Sequence, residues 1–199
     1  MRSTSPTALM TLAPALVGAA LIVLLQALPD AGTALEYRRA LLAREPWRVF
    51  GAHLVHINWL HALVNSAAWI VLARLFEREL SAGAQLACLA GAAAVVSLAL
   101  ALLAPDIGWY RGASGALHAL FFAGATAMLA EAARGHGTAR WPQLLLALGW
   151  IKVALEVPRG GESVFAAWLG APVVPQAHLY GALWGTAFGL LIALRRRGR

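Results

Sequence analysis

The chain has 199 residues, of which 60% are hydrophobic and only 13% charged, and it carries a net charge of +7. A water-soluble domain is roughly 45–50% apolar and about 25% charged, and a chain this short has no core large enough to hide the excess, so an ordinary soluble domain is excluded. The positive charge does not indicate nucleic acid, because the arginines stand between apolar blocks and at the C-terminus, with no basic face interleaved with aromatics.

Taken in chain order, the apolar residues form six blocks, 8–28, 60–76, 84–103, 113–132, 141–157 and 177–194. Each approaches the ~20 residues that cross a bilayer. All six are predicted to be helical, since lipid offers no partner to open backbone groups. The first block follows a single Arg2, as in a signal peptide, but Leu28-Pro29-Asp30 lacks the small residues of a cleavage site, so it is read as a membrane helix. The loop 29–59 mixes charges with Trp47, Phe50, His53 and Trp59, a composition suited to a segment lying in the membrane interface. Cys88, the one cysteine, falls inside the third block and is read as a packed thiol. Lys152 and Glu156 stand four apart in the fifth block, where an ion pair neutralises itself. The fold class expected is an all-α membrane protein, a six-helix bundle forming one domain over residues 1–199.

Charge between the blocks gives an orientation. The side that holds the N-terminus, the loops 77–83 and 133–140 and the C-terminal arginines carries nine arginines against three acidic residues; the other side carries six against five. By the positive-inside rule both termini are expected in the cytoplasm.

Spans two, four and six begin on the same side of the membrane. His61 and Asn65 sit in the first turns of span two, Ser114 at the start of span four, and His178 at the start of span six. Polar groups inside a span are costly and are functional candidates by default. Ser114 is flanked by Gly112 and Gly115, which permit a sharp turn into the helix and close approach of another backbone. Its own N–H falls among the unpaired donors of a helix start, which favour a developing oxyanion. Gly181 and Gly185 are four apart, a spacing that lets two membrane helices pack closely, and His178 lies near that face. Such packing brings His178 within reach of Ser114, and a serine needs such a base to act as a nucleophile. No carboxylate is read near His178, so the expectation is a Ser–His dyad. His61 and Asn65 share a helix face and both can donate to a substrate oxygen.

These residues resemble the rhomboid intramembrane serine proteases. The matching stretches are Trp47-Arg48, His56, His61-Ala62-Leu63-Val64-Asn65, Gly112-Ala113-Ser114-Gly115, and Ala177-His178 with Gly181 and Gly185. The resemblance implies Ser114 as nucleophile, His178 as general base, and an oxyanion hole from the Ser114 N–H, His61 and Asn65. It also implies a site open to water on the external face of a bacterial inner membrane, and no metal or organic cofactor. Trp109-Tyr110-Arg111-Gly112-Ala113-Ser114-Gly115-Ala116-Leu117-His118, Lys152-Val153-Ala154-Leu155-Glu156 and Ala177-His178-Leu179-Tyr180-Gly181 are further similar to the rhombosortase branch. That branch implies membrane-anchored substrates with a C-terminal Gly-Gly motif, one span and a basic tail. One departure is Ala119, where the branch usually has glycine.

Plainer readings compete. A lone serine here would cap a helix, and a lone histidine would be bonded in a core. His118, one turn below Ser114, is read as packing beneath the site, and His53 and His56 as ties for the external loop. A metal site from His53, His56 and His61 would lack a carboxylate or thiol partner and the H-E-x-x-H pattern of a metalloprotease. Rival functions are a general rhomboid protease, a non-catalytic rhomboid-like escort, and a small transporter using Lys152 and Glu156.

Overall fold

The computed structural model describes residues 6–160, 164–170 and 173–197. Arg2, Glu162 and Arg199, which enter the charge count above, lie outside them. In chain order the helices are α1 (Pro6–Ala27), α2 (Ala31–Leu35), α3 (Arg48–Gly51), α4 (Trp59–Leu75), α5 (Ala82–Leu103), α6 (Ser114–Ala132), α7 (Arg140–Glu156), α8 (Val164–Leu169) and α9 (Pro175–Arg197). The six long ones coincide with the six apolar blocks to within three residues. Helices α5, α6 and α9 are each long and apolar enough to cross a membrane unaided. Helices α4 and α7 are shorter, at 17 residues each. Two helix starts are written in the sequence: Asn58 accepts a bond from the His61 N–H at 2.9 Å to begin α4, and Ser81 accepts from Ala84 at 3.3 Å to begin α5.

Helix α6 is the centre of the bundle. In its most apolar stretch 61% of residues are buried, against 33% in α5 and 39% in α9. Its tightest neighbour is α9. Gly181, Gly185 and Gly189 lie directly on the backbone carbonyls of Gly115, Ala119 and Ala123, four residues apart on both helices, so α6 and α9 run parallel and in register. Ala119, the departure noted in the sequence, is fully buried, and Gly185 opposite leaves room for its backbone. Trp184 on α9 fills the space beside Gly91 of α5 and donates to the carbonyl of Cys88 at 3.0 Å; Cys88 itself is buried and free, as expected. At the far end of the bundle Arg196 pairs with Glu131 at 3.0 Å, and Arg134 reaches the Ala193 carbonyl.

The loop between α1 and α4 is a packed structure. Strand β1 (Tyr37–Arg38) pairs antiparallel with β2 (Trp109–Tyr110), just before Ser114. Glu36, 2% exposed, accepts from Arg38 and Arg111 at 2.5 Å each. Arg48 donates to the carbonyls of Thr33 and Glu36 at 2.8 Å each and pairs with Glu45. Trp47, Phe50 and Trp59 remain about half exposed, in keeping with an interfacial face.

Candidate active site

The segment before Ser114 is held from four directions. Gly112 has φ +131°, a conformation open to glycine, and its N–H donates to the Ala52 carbonyl at 2.9 Å. A Cβ there would lie 2.7 Å from Cε1 of His61, so the absence of a side chain also admits the imidazole. Tyr110 donates its hydroxyl proton to the Gly112 carbonyl and accepts from the Gly115 N–H at 3.4 Å. The Ala113 N–H donates to Nε2 of His56 at 3.3 Å. Burial, reinforced by the neighbouring His61, pushes the His56 imidazole down to about 3, which keeps it neutral and its Nε2 lone pair available. His53 is likewise pushed down to about 4 by burial, and its Nε2 lies 3.2 Å from the Ser97 hydroxyl. The expectation that these two histidines tie down the external loop is met.

Helix α9 delivers His178 to this point. At Gly115 a Cβ would stand 2.9 Å from the Ala177 carbonyl; without one, the start of α9 settles against the start of α6. Nε2 of His178 then lies 3.0 Å from Oγ of Ser114, and the imidazole is 5% exposed.

The expectation of a bare Ser–His dyad needs correction. Oε2 of Glu156 lies 2.9 Å from Nδ1 of His178, so a carboxylate does stand beside the imidazole. Odd-numbered spans end on the side where even-numbered ones begin, and Glu156 is the last residue of α7. Lys152 bonds both oxygens of Glu156 at 2.8 Å each and Nε2 of His118 at 3.1 Å. The His118 ring stacks on His178, centroids 4.1 Å apart, and its Nδ1 lies 2.7 Å from the Ser114 carbonyl.

Ligand-type atoms of His118, Glu156 and His178 fall within 4.8 Å of one another, a grouping able to hold a metal ion. Here the Lys152 ammonium already supplies a cation to Glu156 and His118. Among the described residues no such grouping includes His53, His56 or His61.

His61 and Asn65 face the same space as Ser114. The Asn65 amide donates one proton to the His61 carbonyl at 2.9 Å, which leaves its second proton for another acceptor. Nδ1 of His61 is buried with no hydrogen-bond partner among the described residues, and its ring meets His56 edge-on at 4.9 Å. Ser114, His178, His61, Asn65, Lys152 and Glu156 line the polar end of a cavity of about 620 Å³. Its remaining walls are apolar: Val64, Ala68 and Leu72 of α4, Phe121 and Phe122 of α6, and Leu145 and Leu148 of α7. The cavity therefore runs down α6 between α4 and α7.

Residues 43–195 match the rhomboid domain family. The chain belongs to the rhomboid family. It is thus an integral multi-pass membrane protein of a family whose members are typically intramembrane serine proteases acting on membrane proteins. Among curated proteins, none matches the chain.

Within this rhomboid, ten of the residues singled out from the sequence lie in or directly against one site: Gly112, Ser114, Gly115, His118, His178 and Gly181, with His61, Asn65, Lys152 and Glu156. No sequence pattern pointed to a role for Tyr110, whose hydroxyl staples Gly112 to Gly115, or for the Glu36–Arg111 pair that fixes the strand before the serine.

Proposed function

We infer that the protein is an intramembrane serine endopeptidase. The observation that carries this reading is the 3.0 Å contact between Ser114 Oγ and His178 Nε2 at the polar end of an apolar cavity. Ser114 attacks the substrate carbonyl while His178 takes its proton. The Ser114 N–H, at the start of α6, and the side chains of His61 and Asn65 receive the negative oxygen. His178 then protonates the leaving amine, and water resolves the acyl-enzyme. No cofactor enters the scheme.

The substrate we assign is a single-span membrane protein with a Gly-Gly motif, an apolar span and a basic tail. The likeness of residues 109–118, 152–156 and 177–181 to the rhombosortase branch supports it. The apolar walls from α4, α6 and α7 beside Ser114 suit residues of a membrane span. Glycine near the cut lowers the cost of unwinding the substrate helix, because it is a poor helix residue. The whole chain acts as one membrane domain in a bacterial inner membrane. Both termini lie in the cytoplasm and the site opens to the external side.

The test uses purified protein in liposomes with a fusion substrate ending in a Gly-Gly motif, a span and basic residues. Cleavage near the glycines, located by mass spectrometry and lost in Ser114→Ala, is the expected result. Serine-dependent cleavage of other membrane substrates alone would refute the tail assignment. Folded protein that cleaves no membrane substrate would refute the protease reading and favour the escort.

A further inference from the structure

The cluster behind His178 has a hydrogen-bond logic that fixes where each proton sits. A carboxylate only accepts, so the Glu156 Oε2 contact requires the proton on Nδ1 of His178. Nε2 of His178 is then an open lone pair facing the Ser114 hydroxyl, the form needed to accept its proton. The second ring is fixed in the same way. The Ser114 carbonyl only accepts, so Nδ1 of His118 carries its proton, and Nε2 accepts from Lys152. The three protons of Lys152 are thereby all placed, two on Glu156 and one on His118. The His118 ring, held at both nitrogens, lies 14° from parallel against His178. Glu156 is pinned by Lys152 and His178 by Glu156 and His118, so neither has another orientation open to it without breaking a bond.

We propose that Glu156 is a positioning residue of the reaction, which makes the reacting group a Ser114–His178–Glu156 triad with Lys152 and His118 as its clamp. The inference rests on the protease reading above. In the step it serves, the Ser114 Oγ–C bond forms and the carbonyl π pair moves to oxygen. The hydroxyl proton passes to Nε2 of His178, and Nδ1 keeps its own proton. That imidazolium is then held against the Glu156 carboxylate, which stays ionised throughout. The competing account is that Glu156 only neutralises Lys152 inside the membrane. The two accounts differ in what happens when both charges are removed together.

The experiment compares wild type, Glu156→Met, Glu156→Asp, Lys152→Met, the double variant Lys152→Met/Glu156→Met and Ser114→Ala. Each is purified in detergent, checked for folding by thermal melting, and assayed two ways. One assay is the rate of labelling by a small fluorophosphonate probe. The other is kcat and KM on the fusion substrate. Proton NMR of each nitrogen-labelled protein follows the Nδ1–H of His178. A positioning role predicts that Glu156→Met lowers kcat and labelling by roughly 10²- to 10⁴-fold, the contribution of a well-placed general base, with the upper end matching loss of a triad carboxylate. KM should stay within about threefold, since the contact is to the base and not the substrate. The His178 Nδ1–H signal should disappear with the rate, and Glu156→Asp should recover part of both. The double variant should be as slow as Glu156→Met, although no unpaired charge remains in it. Recovery of wild-type labelling in the double variant would overturn the inference and leave Glu156 as a counter-ion, with the protease reading intact. Wild type with no Ser114-dependent labelling or cleavage would overturn the protease reading and the inference with it.

Discussion

Substitution of Gly181 by alanine isolates the contribution of helix packing to the chemistry. Gly181 lies three residues past His178, about 4.5 Å along the helix, and sits directly on the carbonyl of Gly115, the residue after Ser114. A methyl group there wedges apart the two turns that carry the reacting atoms. Restoring an ordinary packing distance requires α9 to withdraw by about 1.5 Å. Overpacking of this kind costs about 1–3 kcal/mol of stability. A shift of about 1 Å in reacting geometry costs about 10²-fold in rate. Gly185→Ala is the internal control. It presses on the Ala119 backbone in the same interface, but about 10 Å from His178 along α9. Both variants are expected to melt at similarly reduced temperatures in detergent, whereas Gly181→Ala should label with fluorophosphonate at least tenfold more slowly than Gly185→Ala. Equal labelling rates in the two would show that the α6–α9 contact sets stability alone, and would refute the reasoning.

Three other perturbations probe other parts of the site. His61→Ala and Asn65→Ala should each lower kcat by about 10- to 10³-fold with little change in KM, as expected for donors that act on the developing oxyanion; a rise in KM at constant kcat would reassign them to substrate binding. Glu36→Gln leaves Arg111 and Arg38 without their carboxylate, and since Glu36 is buried it should lower the melting temperature far more than Arg38→Ala, whose side chain is half exposed. His56 and His53 are held neutral by burial, at about 3 and about 4, while their unfolded counterparts take up protons below about 6.5. Stability should thus be highest above pH 6.5 and fall as pH drops towards 4, by at most about 1.4 kcal/mol per pH unit for each group. Melting curves between pH 7.5 and 4.5 check this, and His56→Gln should flatten them; a melting temperature independent of pH would contradict it.

The six long helices were legible because each is a predominantly apolar block of near-spanning length, a signal that needs no knowledge of tertiary structure. The parallel run of α6 and α9 was legible because spans four and six begin on the same side of the membrane, and their close packing from glycines four apart on one helix. The external loop was not. Strands β1 and β2 are two residues each and stand some 70 positions apart, too short for any periodicity and joined through contacts that no local pattern encodes. Glu36 reads in the sequence as one loop carboxylate among several, and only the fold reveals that it is buried between two arginines. The site was legible in membership because polar residues in lipid-facing segments are rare enough for each to stand out.

Glu156 shows why membership did not give the arrangement. Lys152 and Glu156 stand four apart on one helix, so each explains the other, and that local explanation hides the need for any further partner. Counting hydrogen-bond capacity reopens the question. A lysine has three protons to place and a carboxylate accepts up to about four bonds; a pair joined by two bonds leaves one proton and at least two acceptor sites over. In water these would be satisfied by solvent. Beside an apolar cavity they draw in the nearest rings, and the rings at that depth are His118 and His178. An ion pair that ends a span is therefore better read as an unfinished network than as a closed one.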